Sequence, residues 1–385
     1  MKKTSEVVIV GGGIVGLSIA YHLAKRGMWD VVVLEKEDMV GLGSTARCSG
    51  GFRHQFSTNV NVQMSLLSVR KLRDFPDEMD QEIAFHQDGY LFLLDGQQYV
   101  EPFMSNIEFQ RGLDIPVELL KPEDVGRVFP GVDLRLDDIE AAVYCGIDGV
   151  SDPAGVTEGF RKNASRLGVS IQTGQEVVGI DIDQGRVSGV RTRNERISTR
   201  VVVNGAGPYA ASIGRMIGVD IPVEPIRHFV WVTKAFEGAP SRHTLVVEFS
   251  SGWCFHREGN GILMAMGDRA APPTFEVGVD WDFFETVMET AMNRYPALED
   301  SAIAKSWAGA YETTPDHNPI LGRVPGVEGL ILANGFSGHG FMHSPATGQL
   351  IAEVILDGEA TSIDITSLSL DRFAKGDLIQ EHHII

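Results

Sequence analysis

Three glycines at the spacing Gly11-x-Gly13-x-x-Gly16 follow the apolar run VVIV and precede a stretch whose apolar residues recur every three or four positions. Glycine at these positions lets backbone amides, those of Ile14 and Val15 included, approach an anion that a side chain would hold away. The positive end of the helix that follows adds potential for a pyrophosphate. Glu35 closes the next apolar run, with Lys36 beside it, at the sequence separation from which a carboxylate accepts hydrogen bonds from ribose hydroxyls. These residues together predict a dinucleotide site, which FAD and NAD both satisfy. A second strip, GLGSTARCSGG, comes directly afterwards. Its Gly43, Ser44, Thr45, Gly50 and Gly51 suit a dinucleotide extended towards a flavin.

The later stretch NGFSGHGFMHSPATG concentrates four glycines and two histidines in fifteen residues. Gly335, Phe336, Gly338, His339, Gly340, Phe341 and Met342 form its first half. Ser344 followed by Pro345 is an N-cap and first-turn signature, so a helix through Leu350, Ile351, Val354 and Ile355 is predicted to begin there. Its free amides would turn back towards the glycines, where fixed donors stabilise developing negative charge. One more glycine turn, Asn204-Gly205-Ala206-Gly207, ends the strand-like run RVVV.

Taken in chain order, the first glycine motif, GSTARCSGGFRHQF, VVVNGAGPYA, AGAYETTPDHNPILG and NGFSGHGFMHSPATGQLIAEVILDGE resemble the D-amino-acid oxidase superfamily. Within it the chain looks most like the branch of sarcosine oxidase β-subunits, dimethylglycine dehydrogenases and dye-linked proline dehydrogenases. The resemblance spans nearly the whole chain. It implies FAD, and oxidation of an N-substituted or imino amino acid by hydride transfer from the carbon beside nitrogen to flavin N5. It further implies that the late helix faces the N1 and C2-oxygen edge of the ring, that residues 204–207 touch the phosphate or adenosine region, and that the Val177 backbone faces the adenine.

The same resemblance puts Arg53 at the substrate carboxylate, where a planar guanidinium makes two charge-assisted bonds. Monomeric sarcosine oxidases add a lysine where this chain has Met342. That residue suggests an apolar wall and leaves His343 or His54, if protonated, to supplement Arg53. Tyr311, His256 and Trp253 are expected to line the pocket. The cysteine that tethers flavin in those oxidases is matched by Gly309, and the tethering histidine of dimethylglycine dehydrogenases by Arg47, so noncovalent FAD is expected. The lysine that assists oxygen reduction is matched by Leu263, which favours a dehydrogenase over an oxidase that makes hydrogen peroxide. Electrons would then pass to another protein or a partner subunit. A flavoprotein that serves as an assembly subunit, with no amine turnover, is the reading from another class.

Several elements must hold these residues. VVIV, the glycine turn, its helix and DVVVLEKE form a β-α-β unit with a right-handed crossover. Residues from about 219 to 323 lack that cadence and are expected to form a mainly antiparallel sheet. The predicted fold class is α/β: a Rossmann-like FAD-binding domain made of residues 1–85, 140–218 and 324–385, with an inserted, mainly antiparallel β-sheet substrate domain at 86–139 and 219–323. The 33 Lys and Arg stand against 52 Asp and Glu, a formal charge of −19 that disfavours nucleic acid and anionic membranes. Cys48, Cys145 and Cys254 are too few and scattered for a disulfide framework or a structural zinc site, which points to a reducing cytoplasm. Residues 7–24 carry no charged side chain, yet three consecutive glycines argue for strand, turn and helix rather than a membrane span. The Asp316 and His317 pair lacks the further ligands that a metal site needs.

Overall fold

A computed structural model describes residues 3–384 of the chain. Strands Val7–Val10 and Val31–Leu34 are buried at every position, as parallel strands covered on both faces must be. They pair in parallel with each other across helix Ile14–Lys25. The sheet they start has six strands in the order Ile320–Arg323, Leu330–Asn334, Val201–Asn204, Val7–Val10, Val31–Leu34 and Ser170–Gln172. Only the edge strand Ile320–Arg323 runs antiparallel.

Helix Gly340–Leu356 lies against Ile14–Lys25. Gly348 permits the approach, since a Cβ there would stand 2.1 Å from Ser18 Oγ. Segments more than 300 residues apart in sequence thus form one layer. Among the described residues no helix is long and apolar enough to cross a membrane.

The second large layer is an eight-stranded sheet. Its order is Ile303–Thr313, Glu224–Thr233, Gly261–Gly267, Cys254–Glu258, Leu245–Glu248, Tyr90–Leu94, Ala141–Cys145 and Val117–Leu120. Only the pair Leu245–Glu248 and Tyr90–Leu94 is parallel. Side chains of Glu224–Thr233 alternate: Phe229 and Trp231 enter the core beneath the sheet, while His228 and Val230 face the other way.

Three features depart from the sequence expectation. Strand Ala141–Cys145, expected with the cofactor domain, pairs with Tyr90–Leu94 in the large antiparallel sheet. Strand Ile320–Arg323, expected with the substrate domain, edges the parallel sheet instead. Helix Trp281–Arg294 interrupts the stretch expected to be mainly antiparallel sheet, and Asp280 caps it by accepting from the Asp282 and Phe283 amides at 3.1 Å each.

The late helix also starts earlier than its Ser-Pro signature indicates. It begins at Gly340, with Pro345 inside it. Proline supplies no N–H for the carbonyl one turn back, and Ser344 Oγ donates to that Phe341 oxygen at 2.8 Å instead. Beyond the helix, Arg372 and Asp316 make a buried ion pair at 2.7 Å, so the Asp316 of TPDHNP has a structural role. Residues 378–384 then run, without regular structure, past the start of helix Asn59–Arg73.

Candidate active site

The two glycine motifs face one cavity of about 580 Å³, whose walls come from both large sheets. Gly11 has φ +108°, and a Cβ on it would stand 2.3 Å from the Gly205 carbonyl oxygen. The first turn and the 204–207 turn are therefore in backbone contact. Gly16 packs equally tightly, its missing Cβ lying 2.1 Å from Gly11 O. Glu35 is fixed at both oxygens, by the Gly12 amide at 2.8 Å and the Glu37 amide at 3.0 Å. Its remaining lone pairs are available to a diol. Thr45 Oγ1 accepts from the Ile14 amide at 3.2 Å, which ties the Gly/Ser strip to the start of the first helix.

Most of the expected cofactor residues line this cavity. Gly11, Gly13, Ile14, Val15, Glu35, Lys36, Gly43, Ser44, Thr45, Gly51, Val177, Gly205, Ala206 and Gly207 lie on the wall, and so do Phe336, Gly338, His339, Gly340, Phe341 and Met342. Gly16, Gly50, Asn204 and Gly335 stand behind it and shape the turns. Asn204 Oδ1 accepts from Ala206 N at 3.2 Å and its Nδ2 donates to Ala210 O at 3.1 Å. Gly50, at φ +79°, has no room for a Cβ beside Ser151 O.

The amides of residues 340–342 open the late helix, and those residues face the cavity. Gly338 precedes them at φ +97°, where a Cβ would meet the Tyr311 ring at 2.5 Å. A row of backbone donors at the positive end of a helix fits the electron-rich edge of a flavin.

The expected substrate residues divide. Arg53, Tyr311 and Met342 line the cavity; His54, His256, His343 and Trp253 do not. His54 is buried, its Nδ1 2.6 Å from Asp148 Oδ1 and its amide donating to the same oxygen. It braces the loop that carries Arg53. His256 is held between the Ser49 and Arg257 carbonyls. His343 contacts Ser65 Oγ at 3.0 Å, and burial lowers its pKa to about 3, so it supplies no positive charge. Trp253 is core, its ring tilted against that of Phe255 at 4.9 Å.

Arg53 is only 2 % exposed. Its guanidinium lies 3.9 Å over the Phe56 ring and donates to the Gln55 and His383 carbonyls, while Nε has no partner. Among the described residues, no carboxylate forms an ion pair with it. A buried cation that, among the described residues, is met by carbonyl dipoles and aromatic faces rather than by a carboxylate is suited to an anionic ligand.

Sequence reasoning missed several wall residues. His228 stacks on Tyr311 at 3.6 Å, and burial lowers its pKa to about 4, so the imidazole is neutral. The period-two pattern of RHFVWV could have assigned it to the face opposite Phe229. Glu312 lines the cavity too, accepts from the Gly335 amide at 2.9 Å, and is raised by burial to about 7. Tyr90 and Ile384 join the wall near Arg53 through tertiary contact alone. On strand Gly261–Gly267 the wall residue is Ala265, not Leu263. The two share a strand face, and Leu263 lies one position pair further along, against His256.

A family described as FAD dependent oxidoreductase matches residues 6–354. Among curated relatives, the FAD-dependent oxidoreductase domain-containing protein 1 of Xenopus laevis is 32% identical over 100% of this chain and 85% of its own length. Mitochondrial sarcosine dehydrogenase of Homo sapiens is 30% identical over 97% of this chain, which spans only 42% of that protein. Among solved structures, the L-proline dehydrogenase from P. horikoshii superposes with a TM-score of 0.91 at 34% identity, covering 98% of this chain and 100% of that one. A glycine oxidase from Geobacillus kaustophilus follows with a TM-score of 0.86 at 25% identity, covering 96% and 99%. With its converging glycine turns, this chain belongs to the family of FAD-dependent oxidoreductases.

Proposed function

We propose that this chain is a dehydrogenase for a secondary or tertiary amino acid of the sarcosine, dimethylglycine or proline type. The observation that carries the reading is Arg53: a buried guanidinium that, among the described residues, has a free Nε and no carboxylate partner, on the wall of the cavity that the glycine turns share. Sarcosine and dimethylglycine dehydrogenases among the relatives, and the proline dehydrogenase structure, support that substrate class. FAD, when bound, supplies the two-electron acceptor for the hydride on the carbon beside nitrogen.

The protein's own contribution is placement. Arg53 holds the carboxylate, and Met342 and Tyr311 offer apolar surface to an N-alkyl group or ring. Neutral His228 adds no competing charge beside the amine. The donors opening helix Gly340–Leu356 favour the reduced, more anionic cofactor. Ala265 leaves its face of the cavity without the cation that would support superoxide formation, which favours a dehydrogenase.

Noncovalent binding has support from packing. Arg47 donates to the Leu42 and Gly43 carbonyls, and a Cβ on Gly309 would lie 2.9 Å from Arg47 Cβ. Cys48 also lines the cavity, but burial pushes its thiol up to about 11, so it stays protonated. Acid precipitation of the yellow holoprotein is expected to leave all flavin in the supernatant; colour retained in the pellet would contradict this.

The central test is anaerobic mixing of holoprotein with sarcosine, dimethylglycine, L-proline, hydroxyproline and D-amino acids, followed by admission of air. One of the first three is expected to bleach the flavin band, with slow recovery in air. Arg53→Ala is expected to raise KM for that substrate about 100-fold while FAD remains bound, the scale of losing a charge-assisted pair. Unchanged KM in the variant removes Arg53 from substrate binding.

A further inference from the structure

Residues 378–384 lie outside every motif considered so far, yet they are fastened into the substrate side of the cavity. Glu381 is 1% exposed. Its carboxylate accepts from Ser57 N at 2.8 Å, Ser57 Oγ at 2.6 Å, Thr58 N at 3.1 Å, Thr58 Oγ1 at 2.9 Å and Asn61 Nδ2 at 3.1 Å. The His383 amide donates to it as well, at 3.0 Å. Six donors on one buried carboxylate fix the segment far more tightly than a surface tail requires. The Glu381 amide in turn donates to Asp316 O at 3.0 Å, and Asn318 Nδ2 donates to Ile379 O.

Two consequences follow at the cavity. The His383 ring stacks on Phe103 at 3.9 Å and its Nε2 lies 2.9 Å from Asn106 Nδ2, so its backbone is held in place. The carbonyl of that backbone is one of the two acceptors that set the direction of the Arg53 guanidinium. The next residue, Ile384, is itself part of the cavity wall, together with Arg53 and Tyr90.

We propose that residues 378–384 form a working wall of the substrate site, in which Ile384 limits the size of the group carried by the substrate and Glu381, acting through His383, positions Arg53. The proposal rests on Arg53 as the carboxylate anchor. Ile384 is the specificity-determining residue; Glu381 is a positioning residue that touches no substrate. An apolar wall discriminates by methylene groups, each worth about ten-fold or more in a fitted pocket.

The test uses the holoprotein and its Glu381→Gln and Ile384→Ala variants. Each is titrated with pyrrole-2-carboxylate, with its N-methyl derivative, and with pyrrole as a probe lacking the carboxylate, following the flavin spectrum. Glu381→Gln is expected to weaken both carboxylates at least ten-fold and leave pyrrole unchanged, with the flavin band intact. Ile384→Ala is expected to shift the affinity ratio at least ten-fold in favour of the N-methyl probe. A structural tail would lower the melting temperature without moving either ratio. Equal Kd values in all three proteins, or a parallel loss for pyrrole, overturn the proposal. Wild-type protein that binds the carboxylates but oxidises no amine refutes the proposed turnover, and leaves the wall to be judged by these same Kd values.

Discussion

Glu312 shows how a single side chain can report on the whole cavity. Burial raises its pKa from 4.5 to about 7, against the lowering effect of the Gly335 and Phe336 amides. A carboxyl whose folded pKa exceeds its unfolded one stabilises the fold fully below about pH 4.5, and that contribution is lost as pH rises to about 7. The shift corresponds to at most about 3 kcal/mol. The buried histidines oppose it, since lowered pKa values make stability rise with pH over part of the same range. Comparing urea midpoints of wild type and Glu312→Gln without FAD separates the two. The variant is expected to lack the fall between pH 4.5 and 7; identical profiles would show that Glu312 is not the titrating group. At this scale the sequence was informative where backbone geometry decides, as at Gly11 and Gly338, while Arg53 was brought to the cavity wall by the resemblance. It was uninformative for His54, His256 and His343, because residue type does not tell which side of a wall a ring occupies.

Elements were legible where periodicity and caps agree. Strands Val7–Val10 and Val31–Leu34 with the helix between them follow from their patterns. The start of helix Gly340–Leu356 was misplaced because Ser-Pro opens many helices, whereas here the pair sits in the second turn and Ser344 serves the carbonyl that Pro345 leaves free. Helix Trp281–Arg294 was hidden by the sparseness of its buried face, which amounts to Val287, Ala291 and Arg294. The glycine turns permit a sharp comparison between positions of similar appearance. Gly16→Ala places a methyl 2.1 Å from Gly11 O, between the first strand and its helix, whereas a Cβ on Gly43 meets nothing within 4 Å. Gly16→Ala is expected to lose at least 100-fold in FAD affinity and about 2 kcal/mol of stability. Gly43→Ala should stay within about 0.5 kcal/mol of wild type. Flavin fluorescence titration and thermal melts check both, and equal behaviour of the two variants would contradict the packing argument.

For the whole molecule, the two-layer architecture follows from the rhythm of the elements, but the seams between layers do not. Ala141–Cys145 and Ile320–Arg323 are short strands whose local pattern would suit either sheet, and long-range pairing assigns them. Wall residues such as Tyr90 and Ile384 arise from the same long-range closure, so local pattern cannot reveal them. The contact of helix Gly340–Leu356 with helix Ile14–Lys25 has a bearing on biosynthesis. Until residues 330–356 leave the ribosome, the first helix has an uncovered apolar flank and the cavity lacks the wall that residues 333–342 supply. Cofactor capture is consequently a late event in the life of each new chain, and translation stalled before that point yields a product that invites chaperones rather than flavin.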